Sequence, residues 1–390
     1  MRICIVVPYD LAEEGGVKRH AVQLAASLRG LGDEVDVLGP YSGKSPLPEH
    51  IYGLRGVVNI RANGSDNRLG IFVSPFKVVR MFRDRSYDVV HIHEPLQPSL
   101  NYYAMWSAGT AARICTFHSY MEHESRRMLW ARRFWSMIAF PSYDRAIAVS
   151  PAAAVCAHNA KRFEKPMAII PNGIRNELYA HAGDARVRGP GEPLRMLFVG
   201  HWRDSRKGLP YLLDACARLT ERGVRWTLDV VGGGGDIARS ELPGVTYHGP
   251  ISAEERVAEL YAVCDVFVAP STGMESFGIV LLEAMASGRA VVCSDIEGYR
   301  YAVGDSPGVK LVPPGGVGEL TAALAELAAD PAACARLGAL NRARAREFDW
   351  DQLALHVRAE YLAAIETRHG AGAAADHALA TVEPRARATV

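Results

Sequence analysis

Residues 270–288 read Pro270-Ser271-Thr272-Gly273-Met274-Glu275-Ser276-Phe277-Gly278-Ile279-Val280-Leu281-Leu282-Glu283-Ala284-Met285-Ala286-Ser287-Gly288. The apolar run Val263–Ala269, broken by Cys264 and Asp265, leads into a loop of small residues carrying one carboxylate, Glu275, and a helix is predicted to start near Phe277–Gly278. The first turn of such a helix leaves backbone N–H groups without intrahelical partners and carries a partial positive charge, so it can hold a phosphate without a metal. Glu283 then lies about one and a half turns inside, roughly 7–8 Å along the axis at about 1.5 Å per residue. Two carboxylates eight residues apart bracket an anion site. That suits a ligand with hydroxyls at both ends and phosphate in the middle, such as a nucleotide sugar. Taken singly, Glu275 could merely favour the helix dipole and Glu283 could belong to a solvated helix face.

Outward from this stretch, short apolar runs alternate with amphipathic segments. The chain opens with Arg2–Val7, then Val17–Leu31 with apolar residues at 17, 21, 22, 24, 25, 28 and 31, then Glu34–Leu38. Near-continuous apolar strands between amphipathic helices predict a parallel sheet covered on both faces. Further strands are predicted at Val57–Ile60, Asp88–His93, Arg113–Phe117, Arg145–Val149 and Ala168–Ile170, before Pro171-Asn172-Gly173 punctuates the chain. After the polar stretch Arg175–Pro193 the pattern restarts with Leu194–Val199, Trp226–Val231, Val245–His248, Val266–Ala269, Ala290–Cys293 and Lys310–Val312. The fold expected is α/β, with two doubly wound Rossmann-like domains, 1–171 and 172–350, facing a central cleft where strand ends bind ligands. A last helix is expected at 351–367, and 368–390, Ala-rich without apolar periodicity, reads as a disordered tail.

The 390 residues suffice for two full cores at about 100–200 residues per domain. A formal net charge of +1 excludes an overall field for nucleic acid, so an anionic partner must meet a local patch. Seven cysteines, none in a Cys-x-x-Cys pair, read as reduced core thiols of a cytoplasmic protein. No run approaches the ~18 apolar residues of a membrane span, and Ile3–Pro8 reads as a strand rather than a signal-peptide core.

Glu275-x7-Glu283, with Ser-Phe-Gly after the first Glu and Glu-Ala-Met-Ala-Ser-Gly from the second, closely resembles the donor-site motif of retaining glycosyltransferases of family 4, which have the GT-B fold. The first domain is most similar to actinobacterial phosphatidylinositol mannosyltransferases, which use GDP-mannose. The stretches that carry this likeness include Gly15-Gly16-Val17, Asp88-Val89-Val90-His91-Ile92-His93-Glu94-Pro95, Thr116-Phe117-His118 and Ile170-Pro171-Asn172-Gly173. The resemblance implies catalytic roles for His118, Lys207 and Glu275. It implies donor contacts from Gly15, Gly16, Arg206, Lys207, Glu275, Phe277, Gly278, Ile279, Val280 and Glu283, and acceptor contacts from Tyr9, Asn63, Ser65 and Arg68. It also implies front-face substitution with retention, the leaving phosphate taking the acceptor's proton, with the nucleotide sugar as substrate and neither cofactor nor metal.

Two places depart from the family pattern. In Gly200-His201-Trp202-Arg203-Asp204-Ser205-Arg206-Lys207-Gly208, His201 stands where Arg is usual, leaving Arg203 or Arg206 to supply the second cation. Ala62, Ser119 and His123 stand where the mannosyltransferases carry Tyr, Thr and Lys, which makes a soluble cyclitol or natural-product aglycone the rival acceptor. His91 and His93 alternate on a strand and invite a metal reading; it is set aside because one buried pleated face explains the spacing and no third ligand is placed nearby. Gly232–Gly235 is a tight turn or a flexible loop, and lacks the Gly-Lys-Ser/Thr end of a Walker loop.

Basic and aromatic residues are mixed twice, at Lys77, Arg80 and Arg83 with Phe76, Val79 and Phe82, and within 121–138 at Arg126, Arg127, Arg132 and Arg133 with Trp130, Phe134 and Trp135. Such mixtures suit an anionic bilayer, as a peripheral protein on the inner face of the cell membrane; ordinary helices with solvated basic and buried aromatic faces explain them equally well. A sugar-nucleotide epimerase and a non-catalytic nucleotide-sugar binder are the other classes considered. The first resembles this motif set less, and the second would be expected to lose Lys207 or one of the glutamates.

Overall fold

Runs such as Ile3–Val6 and Val89–His93 offer no face to water, and the chain buries both completely in a parallel sheet. The computed structural model describes all residues except 14, 63–64, 98–99, 121–125, 161–162, 181–186, 190, 234–241, 371–372, 375–376 and 378–390; residues 61–62, 65–67, 128, 156 and 158–160 are described by their backbone. The chain divides into two compact units, one built from Met1–Ala62, Asp66–Pro171 and the chain from Trp350 onward, the other from Asn172–Asp349.

The strands of the first unit are β1 (Arg2–Val6), β2 (Glu34–Pro40), β3 (Ile51–Leu54), β4 (Val58–Ala62), β5 (Ser65–Leu69), β6 (Val89–His93), β7 (Ala112–Phe117), β8 (Arg145–Ala148) and β9 (Met167–Ile169). Seven of them form one sheet in the order β3-β2-β1-β6-β7-β8-β9, with neighbours parallel throughout. The strand expected at Val57–Ile60 exists as β4 but pairs with β5 in a separate two-stranded ribbon. The edge place belongs to β3, a short half-exposed strand that its sequence, Ile-Tyr-Gly-Leu, does not announce.

The helix Trp350–His369 packs on this unit and is tied to it by side chains. Trp350 Nε1 donates to Gln23 at 2.8 Å, and Arg358 Nε donates to Asp33 at 2.9 Å. Arg145 donates to Glu360 at 2.6 Å, and Arg368 to Asp144 at 2.8 Å. Arg368 and His369 are therefore helical rather than the start of a disordered tail, and Arg358 also donates to the carbonyl of His377 at 3.1 Å. The rest of the expected tail, 378–390, lies outside the described residues.

The second unit has β10 (Leu194–Val199), β11 (Trp226–Val231), β12 (Val245–Gly249), β13 (Val266–Ala269), β14 (Ala290–Ser294) and β15 (Val309–Val312), in the order β12-β11-β10-β13-β14-β15 and all parallel. Strand order reverses between β10 and β13, as it does between β1 and β6 in the first unit. At such a reversal the loops leaving the two strands diverge and open a crevice for a ligand. Six cysteines, at 4, 115, 216, 264, 293 and 334, are buried free thiols; the side chain of Cys156 lies outside the described residues. Among the described residues no helix is long and apolar enough to cross a membrane.

Within the first unit's core, His91 bonds to Tyr361 of the last helix through Nδ1 at 2.7 Å and to Thr116 of β7 through Nε2 at 2.6 Å. Burial, and then the neighbouring His20, push the His91 imidazole down to about 3. The native state therefore leaves this ring unprotonated while the unfolded chain protonates it below about pH 6.5, so its contribution is full above that pH and is lost as pH falls toward the folded value. We predict that His91→Gln flattens the loss of stability on acidification between pH 6.5 and 5 by about 1.4 kcal/mol per pH unit, read by urea unfolding at each pH. Parallel curves for the two proteins would rule out His91 as the source.

Candidate active site

The loops leaving β10 and β13 are laced together in the second unit. Residue 208 has φ +75, and a Cβ there would lie 1.9 Å from the Pro270 carbonyl oxygen, so both conformation and contact require glycine. Beside it, Thr272 donates its N–H to the Arg206 carbonyl at 2.7 Å. This lacing sets Lys207 Nζ 2.7 Å from Glu275 Oε1 and leaves both side chains partly exposed. Arg206 turns the other way: Asp204 caps its backbone N–H at 3.1 Å and accepts from its Nε at 2.9 Å. His201 and Arg203 are exposed.

Met274, just before Glu275, sits at φ 60, a left-handed conformation that costs a non-glycine residue about 1–2 kcal/mol, and Gly278 follows at φ 96. Strain of this kind gathers at ligand sites. The helix Ile279–Ala286 starts directly after Gly278 with no side-chain cap and no acidic residue in its first turn, the arrangement an anion needs. Glu283 is buried within it, and its Oε2 accepts from the Tyr261 hydroxyl at 2.9 Å. Ile279 and Val280 are half-buried at the helix start. Phe277, expected at the donor, places its ring in the core against Phe348 and Tyr301, so its side chain is a packing group.

In the first unit, Tyr9 follows β1 and His118 follows β7, while Arg68 lies on β5. Tyr9 bridges to Leu69, and the Asp10 carboxylate accepts from Ala12 N and Ser42 N at 3.0 Å and from Ser42 Oγ at 2.6 Å. Arg68 is spent on Asp10, 3.4 Å away, and on Glu13. Asn63 and His123 lie outside the described residues, as do the side chains of Ala62 and Ser65. Gly15 is extended, at φ −172, ahead of the helix Gly16–Gly30, which has no side-chain cap; a Cβ on Gly15 would meet no atom within 4 Å, so packing does not ask for glycine there.

Glu94 is a functional candidate that the sequence reading passed over. It sits at φ 53 before Pro95, buried, and its Oε1 accepts from His118 N at 3.0 Å and Ser119 Oγ at 2.8 Å. Burial raises its carboxyl above the usual range, against the pull of those hydrogen bonds, and burial followed by Glu94 itself raises the Tyr9 phenol. The one signal in the sequence was an acidic residue between a strand and a proline.

His118 is buried with its Nε2 2.7 Å from His93 Nδ1, and His20 sets its ring edge-on to both, with centroids 4.7 Å from His118 and 5.2 Å from His93. The expectation that no third imidazole stands near His93 fails, because the topology brings His20 and His118 there from distant sequence. Their ring nitrogens lie within 4.8 Å of one another, a trio able to supply three neutral nitrogen ligands. Two nitrogens on one tetrahedral zinc would stand roughly 3.3 Å apart at the usual bond lengths. The 2.7 Å between His93 and His118 is instead a hydrogen bond, which a metal would have to open.

Residues 14–178 match the family model Glycosyltransferase Family 4, and 193–330 match Glycosyl transferases group 1. The chain is 33% identical over 382 residues to a phosphatidyl-myo-inositol mannosyltransferase of Mycolicibacterium smegmatis, covering 95% of each chain. It is 33% identical to the protein of that name from Propionibacterium freudenreichii, covering 79% of this chain and 81% of the other. Among solved structures, an Anabaena protein in complex with UDP-glucose superposes with TM-score 0.71 at 20% identity, over 92% of this chain and 99% of that one, which shows the shared GT-B fold. With both halves matched by glycosyltransferase family models and a relative of 33% identity covered over 95% of its length, the chain belongs to the family-4 glycosyltransferases.

Proposed function

We propose that the protein moves a mannosyl residue from GDP-mannose to a hydroxyl of a phosphatidylinositol-type acceptor, with retention and without a metal. The observation that carries this reading is the Lys207–Glu275 contact at the start of an uncapped helix. The Lys207 ammonium and the uncapped helix start can both oppose the charge growing on a departing diphosphate, and fixed groups of this kind are the largest electrostatic aid available to such a step. Glu275 takes a sugar hydroxyl, and Glu283, oriented by Tyr261, takes the ribose. Arg203 supplies the second cation, since Arg206 is held by Asp204. By likeness to the family, Gly15, Gly16 and His118 are assigned to the donor and Tyr9, Asn63, Ser65 and Arg68 to the acceptor. The leaving phosphate accepts the acceptor's proton on the face it leaves, so no carboxylate nucleophile of the glycosidase kind is invoked. Likeness to the named mannosyltransferases supports mannose and the inositol lipid.

The lipid acceptor has support of its own on the surface. The helix Pro75–Asp84 buries Val78 and Phe82 but leaves Phe76 84% exposed, with Phe72 before it at 77% and Val79 at 52%, beside Lys77, Arg80 and Arg83. In the helix Arg126–Ala139, Trp130, Phe134 and Met137 recur at helical spacing and are exposed by 73%, 53% and 54%. Arg85 stands apart from the patch, bonded to Asp36 at 2.8 Å and stacked on Tyr52. We accordingly place the protein at the inner face of the cell membrane as a peripheral enzyme.

Three measurements follow from this reading. Lys207→Ala should lower turnover with GDP-mannose by about 10²–10³ while sugar selectivity stays; an unchanged rate would move the charge role to Arg203. Glu283→Ala should weaken GDP by on the order of 1.5–3 kcal/mol in isothermal titration, the worth of hydrogen bonds to a charged group. Equal affinity would reject the ribose role. The protein should co-sediment with anionic but not neutral vesicles at low salt, and changing Lys77, Arg80 and Arg83 together to Ser should abolish this, each cation near the surface being worth roughly 1 kcal/mol. Protein that stays in the supernatant would turn the search to soluble cyclitols and aglycones.

A further inference from the structure

His93 is fully buried, and one of its ring nitrogens, Nε2, has no hydrogen-bond partner among the described residues, while the other, Nδ1, meets His118 Nε2 at 2.7 Å. Burial above all, with neighbouring imidazoles adding to it, holds both rings well below their ordinary value, so each is neutral at pH 7 and carries one proton. The shared hydrogen bond can then be written in two directions. If His118 Nε2–H donated, His93 would have to keep its own proton on Nε2, stranding an N–H donor in the core, the rarest and costliest kind of orphan. If His93 Nδ1–H donates, Nε2 of His93 is only a bare lone pair. His118 then accepts at Nε2 and carries its proton on Nδ1.

The surroundings hold this pair in place. His118 gives its backbone N–H to Glu94 at 3.0 Å, and the His20 ring stands edge-on at 4.7 Å. His91, whose ring lies 4.4 Å from that of His93, is committed to Tyr361 and Thr116. Among the described residues the His93 ring has no hydrogen bond besides the one to His118, so its geometric role is legible from that single bond.

We propose that His93 is a positioning residue that fixes His118 as its Nδ1–H tautomer, so that His118 meets the substrate as a hydrogen-bond donor to an oxygen and not as a base. The inference rests on the reading that places His118 beside the donor sugar. A donor suits a sugar hydroxyl or phosphate oxygen there, and it agrees with a reaction in which the leaving phosphate removes the acceptor's proton. His93 itself touches no reacting atom and acts through His118.

The test uses the full chain labelled with ¹⁵N-histidine, the His118 signals being assigned by their loss in His118→Ala. Long-range ¹H–¹⁵N correlation should show His118 protonated on Nδ1 and unprotonated on Nε2; the reverse pattern overturns the proposal whatever the activities are. His93→Asn, whose amide N–H takes the place of Nδ1–H, should keep that pattern and turnover within about threefold of the original. His93→Leu should lower kcat by about ten- to a hundredfold, the range seen when the hydrogen-bond partner that orients a metal-bound histidine is removed, with KM for GDP-mannose little changed. Equal kcat losses in the Asn and Leu variants would mean a packing role only and overturn the proposal. Full activity of His118→Ala would instead remove His118 from the donor site, and the role of His93 with it, while leaving the tautomer assignment to the spectrum.

Discussion

Where the loops after β10 and β13 meet, there is no room for a side chain: the Pro270 carbonyl oxygen occupies, within 1.9 Å, the place of a Cβ on residue 208. Two parallel strands on either side of a reversal of strand order send their loops apart by default. Contact at residue 208, reinforced by the hydrogen bond from Thr272 to the Arg206 carbonyl, draws these two back together. Lys207 then reaches Glu275 over a distance set by backbone rather than by the mutual attraction of two long side chains. An exposed ion pair alone is worth about 0–1 kcal/mol and would not hold such a geometry. Lys207 and Gly208 thus work as one device, the second residue making the approach and the first using it.

A different constraint orders the first unit. Glu94 takes a left-handed conformation ahead of a proline, a place where backbone sterics favour extended structure, and it does so with a buried carboxylate. The N–H of His118 and the hydroxyl of Ser119 are what that carboxylate receives in return. One strand end is thereby fastened to the next, and His118 is fixed at its backbone by Glu94 and at its ring by His93. Ser119 keeps the hydroxyl that a threonine would offer at the same place, so this departure from the mannosyltransferase pattern leaves the fastening intact.

What could be foreseen from the chain depended on how local its cause was. β10, β11 and β13 have the ends expected of them, because continuous apolar runs bounded by Gly, Pro and charge leave little freedom. Glu275 and Lys207 were legible as a motif, but their contact was not, since it depends on a glycine 62 residues from the loop it touches. The grouping of His20, His93 and His118 is a product of strand order, and no spacing in the sequence encodes it. Arg206 was assigned by the family's pattern of a second cation in this loop, although the Asp204 that takes it stood two residues away. Phe76, Val79 and Phe82 look alike in composition; only the helix's packing separates the buried Phe82 from the exposed Phe76.

The helix Trp350–His369 gives the chain an order of assembly that differs from its order of synthesis. The first unit's core is closed by residues made only after the whole second unit: Tyr361 covers His91, and Arg358 meets Asp33. At about 5–20 residues per second, the stretch between Pro171 and Trp350 takes roughly 10–40 s to emerge from a ribosome, long against the folding of a single domain. The second unit, contiguous in sequence, is complete before the first. Until then the amino-terminal sheet waits with His91 lacking its Tyr361 partner, and a chain cut short before its last helix would carry a finished second unit on a protein whose first unit had never closed.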